Sequence, residues 1–130
     1  MNIYDKHKNL ISIYKRFEDI SDSKEFLTES CNDFQFGTFN LKSGEVINKH
    51  IHNKQKRIVN QTSEGIVVLS GSLEIDFFDN DKIFIQKIQL KQGDSVLIVS
   101  GGHGIKVLDD CKFIEFKQGP YIAENDKKHF

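Results

Sequence analysis

The chain has 130 residues, the size of one domain and enough to bury a core without disulfide or metal staples. Eighteen basic residues against 19 acidic ones leave a net charge of -1, which excludes the electrostatic footprint expected for nucleic acid or an anionic membrane. Cys31 and Cys111 fit no ligand spacing and read as reduced thiols; with no signal pattern and no apolar run of membrane length, a soluble, cytoplasmic protein is expected.

Residues 1–33 are the least legible. Leu10, Ile13, Phe17 and Ile20 fit helical spacing, yet 10–14 is rich in strand formers, and a short strand is expected there with a second over 25–28. In 34–38 the bulkier residues Phe34, Phe36 and Thr38 share one face. Lys42-Ser43-Gly44-Glu45 then turns the chain into a strand-like run that carries His50 and His52. Alternation puts those two imidazoles on one face, with Ile51 on the other.

From Glu64 onward, turn signals recur at Gly71-Ser72, Asp79-Asn80-Asp81, Gln92-Gly93-Asp94, Gly101-Gly102 and Asp109-Asp110. The runs between them, 73–78, 83–90, 95–99, 105–108 and 112–117, have strand length and are rich in Ile, Val and Phe. Eleven Phe in the whole chain supply bulky core material. Strands at this spacing with almost no helical signal predict an all-β sandwich or barrel. No internal repeat or linker divides the chain. The expected organisation is one domain over 1–130: N-terminal strands over 1–33, a barrel over 34–118 and a polar tail over 119–130.

Chemistry concentrates around residues 44–71. Two imidazoles and the Glu64 carboxylate on neighbouring antiparallel strands make most of a divalent-metal site, and His103, set among Gly101, Gly102 and Gly104, is a fourth candidate. Such a donor set suits Zn, Mn, Fe, Ni or Cu, and no thiolate joins it to favour zinc. A bare His-x-His is more often a pair of ordinary solvated histidines; Glu64 at its distance from Gly71 and the Gly-flanked His103 tip the balance toward metal. The glycines around His103 have no following Lys-Ser/Thr or helix, so they do not form a phosphate loop. They read as tight backbone that aims His103 inward.

These residues carry a family resemblance. Gly44-x5-His50-x-His52 with Glu64-x6-Gly71 resembles the first cupin motif, and Gly93 through His103 resembles the second. The resemblance implies a single cupin-type jelly-roll barrel of antiparallel strands. It also implies one divalent transition metal on His50, His52, Glu64 and His103, and a homodimer. The insert of eleven residues between His52 and Glu64 is longer than the family's, Val99 stands where a proline is usual, and His103 comes one residue early. Lys117-Gln118-Gly119-Pro120-Tyr121 with Asp126-Lys127 and Phe130 resembles a narrower group, small single-domain cupins associated with surface-polysaccharide biosynthesis.

The resulting expectation is a metal-dependent enzyme of isomerase, lyase or oxygenase type acting on a small polar molecule such as a sugar or sugar-nucleotide derivative. There the metal would polarise a carbonyl or hydroxyl. The alternative is a non-catalytic small-anion-binding or regulatory module using the same pocket. Asn48 shares the inward parity of His50 and is a candidate ligand contact, though a structural role fits equally well. Arg57, in the basic connection 53–63 between the ligand-bearing strands, is suited to a phosphate or carboxylate, although a solvated hairpin explains the same charges. The Lys/Asp-rich tail reads as a surface cover.

Overall fold

The computed structural model describes residues 1–122, 124 and 126–130. The chain is all-β. Its strands are β1 (Asn2–Tyr4), β2 (Leu10–Lys15), β3 (Glu25–Phe26), β4 (Gly37–Thr38), β5 (Glu64–Phe78), β6 (Phe84–Lys91), β7 (Ser95–Ile98) and β8 (Gly102–Lys117). Among the described residues a single 3-10 turn, Phe17–Asp19, interrupts them. Every pairing is antiparallel. Six strands form one sheet in the order β1-β2-β7-β5-β6, with β8 along the other edge of β5, and β3 pairs β4 separately.

The organising element is the β5–β8 ribbon. The first part of β5 pairs β7, its second part pairs β6, and β8 runs along its full length. The apolar alternation of β5 explains this placement. Ile66 and Val68 are buried, and so are Leu73, Ile75 and Phe77, but the buried parity changes from even to odd between the two groups. Leu69 is the extra residue that makes the change. Val68 stands opposite Phe113 and Ser70 opposite Lys112, so Leu69 has no counterpart and is 48% exposed. A second bulge places Gly71 against both Asp110 and Cys111, and a third leaves Leu108 without a counterpart. Bulges bend a strand and sharpen its twist, and three in succession coil this ribbon. Gly71 has φ +72, and a Cβ there would run into the Asp110 carbonyl, so the second bulge requires glycine.

The core lies on the concave face. Ile66, Val68, Leu73, Ile75 and Phe77 pack with Ile88 and Leu90 of β6, Val96 and Ile98 of β7, and Ile3 and Ile11. The β6–β7 turn is tied into this core by Asp94, whose side chain has no exposed surface. Its carboxylate accepts hydrogen bonds from Arg16 Nη1 (2.7 Å) and from the backbone N–H groups of Phe17 (3.0 Å) and Lys91 (3.0 Å). Burial alone would raise the Asp94 pKa, but these donors outweigh it and hold the group below the ordinary aspartate range.

Three sequence expectations are revised. Gly71-Ser72 and Asp109-Asp110 do not end strands; they are the bulges inside β5 and β8, because a glycine at positive φ serves a bulge as well as a turn. The expected strand carrying His50 and His52 is absent, and residues 39–63 hold only the turn at Gly44, where Glu45 N–H reaches Lys42 O at 3.1 Å. A strand needs a ladder partner for its backbone groups, and the run after Gly44 has none. Finally, no strand among the described residues pairs with the outer edge of β8, so the sheet is coiled but does not close into a barrel.

Candidate functional site: a carboxylate and an imidazole at the ends of one ribbon

Glu64 opens β5, and His103 lies near the start of β8, opposite Phe77. Thirteen residues of extended chain would separate their ladder positions by roughly 40 Å in a straight ribbon. The coiled ribbon instead brings His103 Nε2 to 3.0 Å from Glu64 Oε2. Both side chains are partly buried on the concave side, Glu64 at 18% exposure and His103 at 28%. An imidazole N–H on Nε2 donates to the carboxylate, which fixes the ring's orientation.

Lys117 faces Glu64 across the ladder, with Nζ 3.7 Å from Glu64 Oε1 and 3.0 Å from Asp126 Oδ2. The His103 hydrogen bond holds Glu64 below the usual carboxylate range. Burial opposes it, and the charges of His103, Lys117 and Lys127 reinforce it. The Asp126 partner raises Lys117 in turn. Glu64 is therefore held as an anion with cationic or hydrogen-bonding groups around it.

These groups head a cleft of about 730 Å³ lined by Glu64, Asp76, Phe78, His103, Glu115 and Lys117 together with the segment 126–130. The glycines before His103 act as the sequence predicts at one position. Gly101 has φ +75, and a Cβ there would strike the Phe78 carbonyl. Gly102 leaves space of another kind, because its missing Cβ would lie 2.7 Å from the Phe130 ring. Gly104 meets nothing and gives no steric reason for glycine.

Of the four expected metal ligands, Glu64 and His103 come together, and His50 and His52 form a second pair with ring centroids 5.1 Å apart. Both histidines of that pair are exposed on the 39–63 segment, and His50 Nδ1 lies 2.8 Å from the Asn48 carbonyl. Among the described residues, no three His, Cys, Asp or Glu side chains gather as a metal centre. Asn48 and Arg57 are exposed and do not line the cleft. Lys117, Lys127, Lys128 and Phe130 also line the cleft, and no motif in the sequence singles them out as cleft residues. For Lys117 a signal existed, since its parity along β8 matches Phe113 and Glu115; for 126–130 only the tertiary fold supplies it.

The site thus defines an all-β protein of antiparallel sheets with a polar cleft headed by a carboxylate–imidazole pair. No family model, curated protein or solved structure matches the chain. No helix among the described residues is long and apolar enough to cross a membrane.

Proposed function

We propose that the chain is a metal-binding cupin-type protein, an enzyme acting on a small polar molecule such as a sugar or sugar-nucleotide derivative, in the cytoplasm. The observation that carries this reading is the Glu64–His103 pair, 3.0 Å apart at the head of a cleft of small-molecule size. Carboxylate and imidazole are donors that divalent transition metals take, and both already point to one place. His50 and His52 complete the set if the 39–63 segment folds back along the free edge of β8. That movement would also close the sheet as a jelly-roll barrel.

Two features favour the movement. The segment leaves Val46, Ile47, Ile51 and Ile58 strongly exposed, and β8 leaves Val107 and Phe116 more than half exposed. Joining the two would bury apolar surface on both and satisfy backbone groups along an unprotected edge. A bound divalent metal supplies Lewis-acid polarisation of a carbonyl or hydroxyl. Glu64 and His103 would then hold the donor geometry, and Lys117 would keep positive charge beside the carboxylate. At the other end of the sheet β1 pairs only β2 among the described residues, and that free edge supports a homodimer, which sedimentation at micromolar concentration tests; a monomer there removes that part.

A second reading, a non-catalytic anion-binding module, is favoured by the cations Lys117, Lys127 and Lys128 in the cleft wall. Elemental analysis of the purified protein decides the metal. About one divalent ion per chain is expected, lost in the His50→Ala/His52→Ala double variant; full occupancy in that variant overturns the assignment.

A further inference from the structure

The segment Asp126–Phe130 forms one wall of the cleft and is fixed at both ends. At one end Asp126 Oδ2 pairs with Lys117 Nζ at 3.0 Å. At the other, the Phe130 ring stands edge-on to Phe78, with centroids 5.2 Å apart, and lies over Gly102, next to His103. Lys82 Nζ sits 5.4 Å above the same ring. The fit is specific, because any side chain at 102 would displace the ring.

Between these anchors lie Lys127 and Lys128. Lys117, the other lysine of the cleft, is committed to Asp126 and Glu64. Among the described residues, Lys127 and Lys128 have no carboxylate within ion-pair distance although both line the cleft. Among the described residues Glu64 and Asp126 have imidazole or ammonium partners, whereas Asp76 Oδ1, 3.6 Å from Lys87 Nζ, accepts no hydrogen bond and Glu115 has no ion-pair partner, so both can accept from hydroxyl groups.

We propose that the cleft binds a small hydroxylated acid, carboxylate or phosphate, whose anionic group is held by Lys127 and Lys128, and that Phe130 seated on Gly102 positions those lysines. The proposal rests on the reading of this cleft as the ligand site and does not need the metal. Two ammonium groups with no ion-pair partner among the described residues form charge-assisted hydrogen bonds to an oxyanion without breaking one, although Lys127 also lends its charge to Glu64 from farther off. Phe130 is 61% exposed, so its ring is a seat rather than a core residue, and removing it frees the lysines without unfolding the sheet.

The test is titration of chelator-treated protein with inorganic phosphate, and in parallel with malonate, followed by amide NMR. In the parent chain, saturable shifts are expected at Gly102, His103 and Gly104 with at least one of the two probes, and the comparison tells phosphate from carboxylate preference. Lys127→Gln/Lys128→Gln should weaken that binding about tenfold or more, the loss of a hydrogen bond to a charged group. Phe130→Ala should weaken it several-fold with both lysines present, and Gly102→Ala should do the same by pushing the ring out of its seat. No saturable shift in the parent, undiminished binding in the double lysine variant, or undiminished binding in both Phe130→Ala and Gly102→Ala overturns the proposal. Metal content measured on the same proteins is expected to be unchanged by the lysine substitutions. A parent that binds either probe but takes up no metal would remove the metal reading and leave this one standing.

Discussion

His103 stands opposite Phe77 in the ladder, near the far end of the strand that Glu64 begins, and still its Nε2 lies 3.0 Å from Glu64 Oε2. The contact exists because the ribbon coils, and the ribbon coils at the Leu69, Gly71 and Leu108 bulges. Both partners are partly exposed, so their pairing adds only about 0–1 kcal/mol to folding.

His103→Ala should therefore unfold within about 1 kcal/mol of the parent in urea while losing the metal. Denaturation curves and elemental analysis on the same sample check this. Retained metal, or a collapse of stability, would mean that the imidazole serves the fold instead.

Gly71→Ala should be among the most damaging single changes. A side chain at φ +72 costs about 1–2 kcal/mol in backbone conformation alone. The Cβ would also meet the Asp110 carbonyl across the bulge. A loss of at least about 2 kcal/mol is expected, and the Glu64–His103 pair should open with it. Gly104→Ala, which meets no neighbouring atom, serves as the mild control.

Asp94 should make the fold sensitive to acid. Its folded pKa lies below the unfolded value of about 3.9, so its stabilisation is complete above that pH and lost as pH falls through the folded pKa. Asp94→Ala should cost about 3–5 kcal/mol at neutral pH, because Arg16 and two backbone N–H groups lose their shared acceptor. The gap between parent and variant should narrow below about pH 4, measured by urea midpoints across the range. A gap that stays constant down to about pH 2 would show that the carboxylate's charge plays no part.

Metal should fold the 39–63 segment inward. With Val46, Ile47, Ile51 and Ile58 exposed, the metal-free segment is expected to be cut readily by a protease of broad specificity. Added Zn²⁺ or Mn²⁺ should slow cleavage there, and His50→Ala/His52→Ala should abolish the protection. Identical cleavage with and without metal would argue against recruitment of the two histidines.

Arg57 follows the same segment. If the segment folds onto β8, Arg57→Ala should weaken binding of phosphate to the metal-loaded protein by roughly 1.5–3 kcal/mol, with metal content unaltered. Arg57→Lys should restore only part of it if the contact is bidentate. Equal affinity in parent and Arg57→Ala would place the guanidinium outside the site.

The sequence by itself determined the all-β class, the turns at Gly44 and Gly93 and the strands over most of 64–117; it offered Glu64 and His103 only as two of four metal ligands, not as a pair. Those features are written in local chemistry: alternation, β-branched runs, and glycines where φ turns positive. Whether Gly71 turns the chain back or bulges a continuous strand was not legible, since both need the same residue, and only the pairing of β5 with β8 across the break decides it. The same holds for 45–52, which has the composition of a strand but acquires strand geometry only when another edge meets its backbone. The seat of Phe130 on Gly102 was invisible for a related reason. Phe78 and Gly102 beneath the ring are ladder partners, but the tail that carries Phe130 leaves the far end of β8, and the coiling of the β5–β8 ribbon, a sum of long-range contacts, is what brings it back to them.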